Sequence, residues 1–464
     1  MKRNKAILFI CGCLAVSLVS CDDYLTETPT VSISDDEAFE SASDFTNNLN
    51  GVYYTFGNYN FAGRNVLLIG DVCSDDSQHS SSTGHWRQLA HWQVYDTDEY
   101  LEAMWEYGYE VIDRCTRIIE NAYMVDELPE SSEATINQAV AEAYSLRALA
   151  LLYLTNIWGL PYNDTNKSTL GVVNVTTTIS EGETVSRNTV GENFEQMLSD
   201  IENSKTYFAK DGVESSGTYY MNPAAVYALE ARVKLFMQDY SGAITAAQSA
   251  IDLFDGSLIT TADGFETAWS STTASSEDLF TIAKSASDNP GANSLRTMYT
   301  SYSVSLRDEW LEQFSDTDIR TEVMNLYGGK YMGTSDGAYA NNIPIFRLPD
   351  LYLTIAEAEA ELGDYEAAKE NLLIVVEARN SMEESAIPNT SAIISVIHTE
   401  RSKELTQEGF RLFDARRWGE KITVAGGTYT DFDVAKFVYP IPAAEINSSY
   451  GVTQTENWSS YLPN

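Results

Sequence analysis

Three of the four histidines of this chain fall within twenty residues, "CSDDSQHSSSTGHWRQLAHW", at positions 73 to 92. Cys73, two aspartates, Arg87 and the indoles of Trp86 and Trp92 stand among them, on a backbone loosened by Ser81, Ser82 and Gly84. Three chemistries could use such a stretch. A metal site would want its ligands at short spacings or on one helix face. His79, His85 and His91 fall six apart, which is neither an i, i+4 pair nor a zinc signature. A metal site assembled from residues distant in sequence stays open. A Cys73–His nucleophile pair would need a third orienting group and an oxyanion loop, and neither can be read. Stacking asks for less. A sugar ring has an apolar C–H face, for which an indole is a flat platform. It also has a hydroxyl edge, which Asp and Arg read by hydrogen bonds. Trp86, Arg87 and Trp92, with Asp71 and Asp75 upstream, supply both parts. A stacking surface fits these residues best.

A second constellation lies at "HTERSKELTQEGFRLFDARRWG". Glu400, Glu404 and Glu408 repeat at i, i+4 behind His398, a pattern that could hold a metal pair or act as acid and base. Arg401, Arg411, Arg416 and Arg417 interleave with them, so paired charges within a helical frame account for the pattern better. The expectation is structural.

Charge narrows the partners. The 464 residues carry 29 basic and 68 acidic side chains, formally −39. That balance argues against nucleic acid or an anionic membrane surface. The N-terminus reads as an export signal: Lys2, Arg3 and Lys5 precede the apolar run "AILFICGCLAVSLV", too short for a comfortable membrane span. It ends in "LVSC", which resembles the bacterial lipobox, with Cys21 as the lipidated residue. An ordinary signal with an incidental cysteine is the other reading. Residues 1–20 are then a signal peptide, and 21–34 an acidic, lipidated tether whose multiple acyl chains give stable anchoring. Its Asp22 and Asp23 resemble a surface-export signal of outer-membrane lipoproteins in Bacteroidetes-type bacteria, or simply solvate the tether. Removing the signal takes the formal charge from −39 to −42. Cys11 and Cys13 leave with it, and Cys73 and Cys115 could form one bridge.

The elements that must position these residues are mostly helices. "ATINQAVAEAYSLRALALLYLTNIW" (134–158) is apolar nearly all round and predicts a central core helix. "VGENFEQMLSDIENSKTYF" and "NPAAVYALEARVKLFMQ" predict amphipathic helices, the second opening on Asn222 as cap and Pro223 in the first turn. Two later stretches repeat each other: Asp239-Tyr240 with Ala243, and Asp364-Tyr365 with Ala368, 125 residues apart. Small residues, a turn, an aromatic and another small residue make the tetratricopeptide pattern. The separation predicts struts of one domain rather than a continuous solenoid. Periodicity fades over about 57–95 and 256–345, two loop-rich excursions where binding functions tend to sit. A small hairpin is expected near "TYTDFDVAKFVYPIP".

Four stretches together resemble the SusD/RagB-like lipoproteins. "AEAYSLRALALLYLTNIWGLPY" carries Glu142, Arg147, Gly159 and Pro161. "RLPDLYLTIAEAEAELGDYEAA" carries Arg347, Leu353 and Ala356 to Ala358. "ERSKELTQEGFRLFDARRWG" is the most specific, and "YPIPAAEI" closes the set. The end departs from the family's usual Gln-Asn-Pro-Gly-Tyr, with "TQTENW" in its place.

The resemblance implies a single mostly α domain over 35–464, with tetratricopeptide-like helix pairs as a frame, a loop-rich variable portion and minor β hairpins. It implies capture rather than catalysis, with no cofactor and no metal. The chain would hold an oligosaccharide at the outer membrane, lipid-anchored and facing the exterior. A SusC-like TonB-dependent transporter would be its partner, and the chain its lid. The first excursion would form one side of the ligand pocket and the second the other, with Trp269, Tyr299 and Tyr302 as candidates there. That Trp92 or Tyr299 merely plugs local core is the alternative for each. Two other functions stay open: an oligopeptide-capturing member of the family, and a lipid-anchored glycoside hydrolase, which would need two placed carboxylates. The N-terminal reading has a direct check. Cys21→Ala is expected to abolish incorporation of radiolabelled palmitate in cells and to release the chain from the membrane fraction.

Overall fold

Helical periodicity becomes helix almost where the pattern places it. The computed structural model describes residues 38–123, 130–180, 182–215, 217–325 and 328–463; the signal segment, Cys21 and the tether lie outside the described residues. The helices that build the frame are α1 (Ala42–Phe56), α2 (Asn65–Val72), α3 (Glu99–Ala122), α4 (Glu130–Trp158), α5 (Val190–Phe208) and α6 (Pro223–Phe236). They continue with α7 (Tyr240–Leu253), α9 (Leu348–Glu361), α10 (Tyr365–Arg379), α11 (Ile393–Glu404) and α12 (Arg411–Trp418), while α8 (Ala262–Ser270) lies in the connection between α7 and α9. Local chemistry sets their starts. Asn222 Oδ1 accepts from Ala225 N at 3.0 Å, and Thr189 and Glu192 form a capping box. From Ala139 to Trp158, α4 is buried on nearly every side, because α1, α3 and α5 surround it.

The two repeated stretches fold alike. Asp239 caps α7 by accepting from Gly242 N at 3.1 Å, and Asp364 caps α10 by accepting from Ala367 N at 3.2 Å. In each case the preceding residue takes the left-handed conformation that turns the chain: Gln238 at φ 62° and Gly363 at φ 86°. The expectation of separate struts is corrected. The frame helices from α3 to α7, then α9 and α10, succeed one another in space, so the second pair stacks directly on the first. Ala243 of α7 and Ala358 of α9 meet in a buried cluster with Leu235, and such small side chains let the two helices approach closely. The stack therefore runs on in space, and the chain between Phe254 and Arg347 is looped out of it.

That insert has structure the sequence does not reveal. The strands are β1 (Ser77–His79), β2 (Asp278–Ile282), β3 (Val304–Leu306), β4 (Ile343–Arg347), β5 (Lys421–Val424) and β6 (Tyr429–Asp433). They pair antiparallel as β1–β3, β2–β4 and β5–β6. The β2–β4 pair is wholly buried and closes the neck of the insert. The β5–β6 pair is the hairpin expected near the C-terminus. At the departing C-terminal edge, Gln454 exchanges both hydrogen bonds with the backbone of Ile441, at 2.9 and 2.8 Å. No helix among the described residues is long and apolar enough to cross a membrane.

The 400–418 constellation is structural, but its pairing differs from the expectation. Helix α11 ends at Glu404, so Glu408 lies on the turn beyond it and not on the same helix face. Apart from Lys403, the glutamates pair with cations distant in sequence. Glu404 accepts from Arg320, Arg347 and Arg379, Glu400 from Arg320 and Lys403, and Glu408 from Lys330 and Arg347. The interleaved arginines turn elsewhere. Arg401 bridges Asp350 and Asp414, Arg417 holds Glu357 and Asp414, and Arg411 holds Asp75 and Glu420. Arg416 donates to the carbonyls of Gly159 and Phe437, both at 2.8 Å, rather than to any acid; burial brings its pKa down to about 10. Helical spacing alone could not distinguish these partners.

Two of the paired acids give a pH dependence. Burial pushes the Asp350 carboxyl up, but Arg401 and Arg232 outweigh it and bring it to about 2. Glu357 is likewise pushed up by burial and held at about 2 by Arg417. Both folded values lie below the unfolded ones of about 3.9 and 4.3. Their stabilisation is therefore complete above the unfolded values and lost as pH falls from about 4 toward 2. Glu357→Gln, which leaves Arg417 short of a buried partner, is expected to cost about 3–5 kcal/mol at pH 7. Urea denaturation should show that cost shrinking between pH 4 and pH 2.

Candidate ligand-binding site

The stretch at 73–92 is assembled by pairing with the insert. Strand β1 meets β3 with Ser77 opposite Leu306 and His79 opposite Val304. The pairing continues through Ser80 N donating to Ser303 O at 3.0 Å, and through Arg307 N donating to Asp76 O at 2.9 Å. Side chains extend it: Ser82 Oγ lies 2.5 Å from Ser303 Oγ, and Thr83 Oγ1 donates to Tyr302 O at 3.0 Å. The two excursions are thus zipped into one ribbon. At its outer end the His85 ring stacks on the Tyr302 ring, centroids 3.9 Å apart and planes 15° from parallel. His85 and Arg87 are exposed and Tyr302 is half-buried. Ser82, Gly84 and Gln88 are exposed around them.

Backbone conformation decides which rings face out. Trp86 and Trp92 hold φ of 60° and 57°, a left-handed conformation unusual for a bulky residue. The turn at Trp86 sends its indole inward onto Tyr100, centroids 4.7 Å apart, while its neighbours His85 and Arg87 point to solvent. Ser81 and Ser303 share the left-handed region at φ 61° and 75°. Four such non-glycine residues concentrated in two paired loops are a local strain of the kind that gathers at ligand-binding segments.

Several expected contact residues are corrected to structural ones. Trp86 is 1% exposed, and Trp92 packs edge-on against Phe432 and Phe437 at 4.6 and 5.2 Å. Trp269 is buried over Lys330 and Arg347, whose charged groups lie 4.8 and 5.4 Å from its ring centroid. Tyr299 is buried and donates to Asp71 Oδ2 at 3.0 Å, while Asp71 Oδ1 accepts from Gly409 N at 2.9 Å. This pair fastens both excursions to the turn after α11. There Gly70 and Gly409 meet backbone to backbone, and a Cβ on Gly70 would stand 2.0 Å from Gly409 O. Asp75 is held bidentately by Arg411 at 2.6 and 2.9 Å. Of the eight candidates, Arg87 is exposed and Tyr302 half-buried on the ribbon, and Asp75 is half-buried with its carboxylate spent on Arg411. His85 was not among them, because its ring joins a platform only through a partner more than 200 residues away.

The other chemistries find little support in the geometry. His79 spends both ring nitrogens, accepting from Ser81 N at 3.0 Å on Nδ1 and donating to His85 O at 2.8 Å through Nε2. Cys73 and Cys115 are separate buried thiols, and burial pushes Cys73 up to about 12. Burial raises both Asp71 and Asp76, with Asp76 adding to the first and Asp75 to the second, yet both are enclosed and out of reach of a ligand on the ribbon.

Residues 205–458, just over half of the sequence, match the SusD family. The chain belongs to the SusD family. Residues 23–235 match a second family of the same kind, described as starch-binding and associating with the outer membrane. A SusD-like protein of Bacteroides ovatus is 28% identical over 162 residues, covering 33% of this chain and 28% of that protein. The sequence match thus spans under a third of that relative. A crystal structure from Bacteroides vulgatus, provisionally named a sugar binding protein, superimposes with a TM-score of 0.82 at 26% identity, covering 91% of this chain and 99% of that one. A SusD superfamily protein from Bacteroides thetaiotaomicron shares the fold with a TM-score of 0.79 at 24% identity, over 89% and 99% of the two chains. Membership carries carbohydrate binding and outer-membrane association at the level of the family.

Proposed function

We propose that this chain is a surface-exposed, glycan-binding lipoprotein that captures an oligosaccharide and delivers it to a SusC-like TonB-dependent transporter, over which it closes as a lid. Family membership and the similarity to a neighbour named for sugar binding support the class of ligand. One observation carries the site: the His85–Tyr302 stack at the end of the ribbon joining the two excursions. Parallel rings present a broad apolar face to the C–H side of a sugar. The exposed Arg87 follows on the same loop and supplies donors for the hydroxyl edge.

The ligand is neutral in this reading. The chain's excess of acid lies on its surface, so a polyanion would approach against a repulsive field. Binding rather than hydrolysis is favoured by the fate of the acids: Glu400, Glu404 and Glu408 are buried against cations and unavailable to a substrate.

Two experiments test it. Titration calorimetry of the soluble protein lacking residues 1–21, with neutral glycans, sulfated glycans and peptides, is expected to show saturable binding of neutral glycans alone. His85→Ala or Tyr302→Ala should weaken it about tenfold, the equivalent of one aromatic contact of about 1.4 kcal/mol. Tight binding of a sulfated glycan or of peptides would overturn the ligand class. Affinity purification of the tagged, lipidated chain from detergent-solubilised outer membranes should bring down a large β-barrel receptor, and recovery of the chain alone would overturn the partner.

A further inference from the structure

A cavity of 380 Å³ opens along α3, and no residue of either loop-rich excursion lines it. Its volume is that of a small-molecule site. The sequence of α3 explains one wall. Trp105, Tyr109, Asp113 and Arg117 recur every four residues, which sets two rings and two charges in one line along the helix. Glu106 and Glu110 make a parallel line beside them. The remaining lining is largely aliphatic. Val173, Val175, Ile179 and Val185 come from the chain between α4 and α5, and Val452 from the C-terminal segment. Glu445 and Tyr450, the latter 39% exposed, complete it.

The two rings of α3 are locked, and their polar atoms are already spent. Tyr109 OH donates to Val173 O at 3.1 Å and accepts from Val173 N at 2.8 Å. Trp105 Nε1 donates to Glu445 Oε2 at 3.2 Å. The ring centroids lie 4.8 Å apart with planes 52° from parallel. Val185 N donates to Tyr450 O at 2.8 Å, which joins the other two segments to each other. From these rings a ligand meets π systems alone, with no hydroxyl or N–H left to read a hydroxyl edge. Walls fixed in this way bind with little loss of side-chain freedom.

Charge is the specific feature. Four acids line the cavity, Glu106, Glu110, Asp113 and Glu445, against the one cation Arg117. Arg117 is matched to Asp113 at 2.8 Å, and Glu110 to the exposed Arg114 at 2.7 Å. Glu106 and Glu445 have no cation within ion-pair distance among the described residues. Glu445 is half-buried, and its hydrogen bonds come from neutral donors, Trp105 Nε1 and Ser448 Oγ. The glutamates at 400, 404 and 408 all meet cations; these two carboxylates, beside fixed aromatic rings, do not. A partly desolvated carboxylate attracts a cation more strongly than one in bulk water. Indole and phenol rings add their own attraction for a cation through the quadrupole.

We infer that this cavity binds a small organic cation, an ammonium group carried on a ring or a short aliphatic body. The ammonium meets Glu445 and Glu106 beside the rings of Trp105 and Tyr109, and the body lies against the valines. Such a ligand differs from a neutral glycan in both charge and shape. The inference is independent of the glycan reading, and it gives the chain a second class of ligand at a second place.

The test is calorimetric titration of the soluble protein lacking residues 1–21 with three probes that share one phenyl ring: phenethylamine, phenethyl alcohol and phenylpropionate. Ethylamine supplies the charge without the ring. Phenethylamine should saturate one site per chain, at least about tenfold more tightly than the alcohol or ethylamine, and phenylpropionate should give no heat of binding. Glu445→Gln keeps an acceptor for Trp105 Nε1 and Glu106→Gln alters an exposed side chain, so both variants should fold; each should weaken phenethylamine about tenfold. Tyr302→Ala should leave it unchanged. Equal binding of phenethylamine and the alcohol would overturn the role of charge. Equal binding of phenethylamine and ethylamine, or phenethylamine binding indifferent to both glutamine variants, would assign the effect to the acidic surface as a whole and overturn the site. Failure of phenethylamine to bind would overturn it as well.

Discussion

The architecture hangs on Glu404. Its two carboxylate oxygens accept from Arg320, Arg347 and Arg379 at 2.9 to 3.1 Å, and its carbonyl accepts from Lys330 at 2.7 Å and Arg347 at 3.1 Å. Around it Glu277, Asp318, Glu400 and Glu408 bring the acids to five, against the five cations Arg320, Lys330, Arg347, Arg379 and Lys403. None of these side chains is more than 3% exposed. Burying an ion pair costs desolvation that Coulomb attraction alone often fails to repay. Here the charges balance one for one and most groups make several hydrogen bonds, which is the condition under which such a network holds. Its contribution is to specify position. Glu277 immediately precedes β2 and Arg347 ends β4, the two strands of the insert's neck; they pair at 3.0 Å, and Arg347 is keyed to Glu404 at the end of α11. The neck of the insert is therefore an ionic clasp, and everything the insert carries, Tyr302 included, is placed by it.

A second network does the same for the frame. Arg232, Arg401 and Arg417 alternate with Asp350, Asp414 and Glu357, tying α6, α9, α11 and α12 together. Again three cations meet three acids. Because both networks are neutral, they consume cations without consuming the surplus of acid. The surface is left more acidic in proportion than the whole chain, and a ligand or partner meets that surface, not the mean composition.

How much of this was legible in the sequence follows from the range of each signal. Helices announce themselves through neighbours three and four residues away, so α4, α5 and the Asp-capped repeats are read almost to their ends. The role of the 400–418 acids was also legible, since alternating charges in an apolar context have few other uses. Their partners were not, because Arg320, Arg347 and Arg379 lie 84, 57 and 25 residues from Glu404. The short strands escaped for the same reason: β1 and β3 are three residues each and acquire meaning only from one another. Ring orientation is subtler still. Trp86 looks like a platform by composition, and only its left-handed backbone turns it inward and His85 outward.

A division of labour follows from where the constraints lie. The stacked helices and the two ion networks leave the frame little freedom, while the ribbon is joined by three residue pairs and a few hydroxyl contacts. Ligand contacts placed on loops can change without disturbing a core, provided something else fixes the loops' ends. The clasp of Glu277 with Arg347 and the Asp71–Tyr299 bond supply that fixation from beneath. Under the proposed function, a substitution at His85, Arg87 or Tyr302 alters only what the surface offers a sugar. One at Glu404, Asp71 or Gly409 alters where that surface stands. Under the proposed function, specificity and stability are thus carried by different residues, and a change of ligand would be met by changing the outer layer alone.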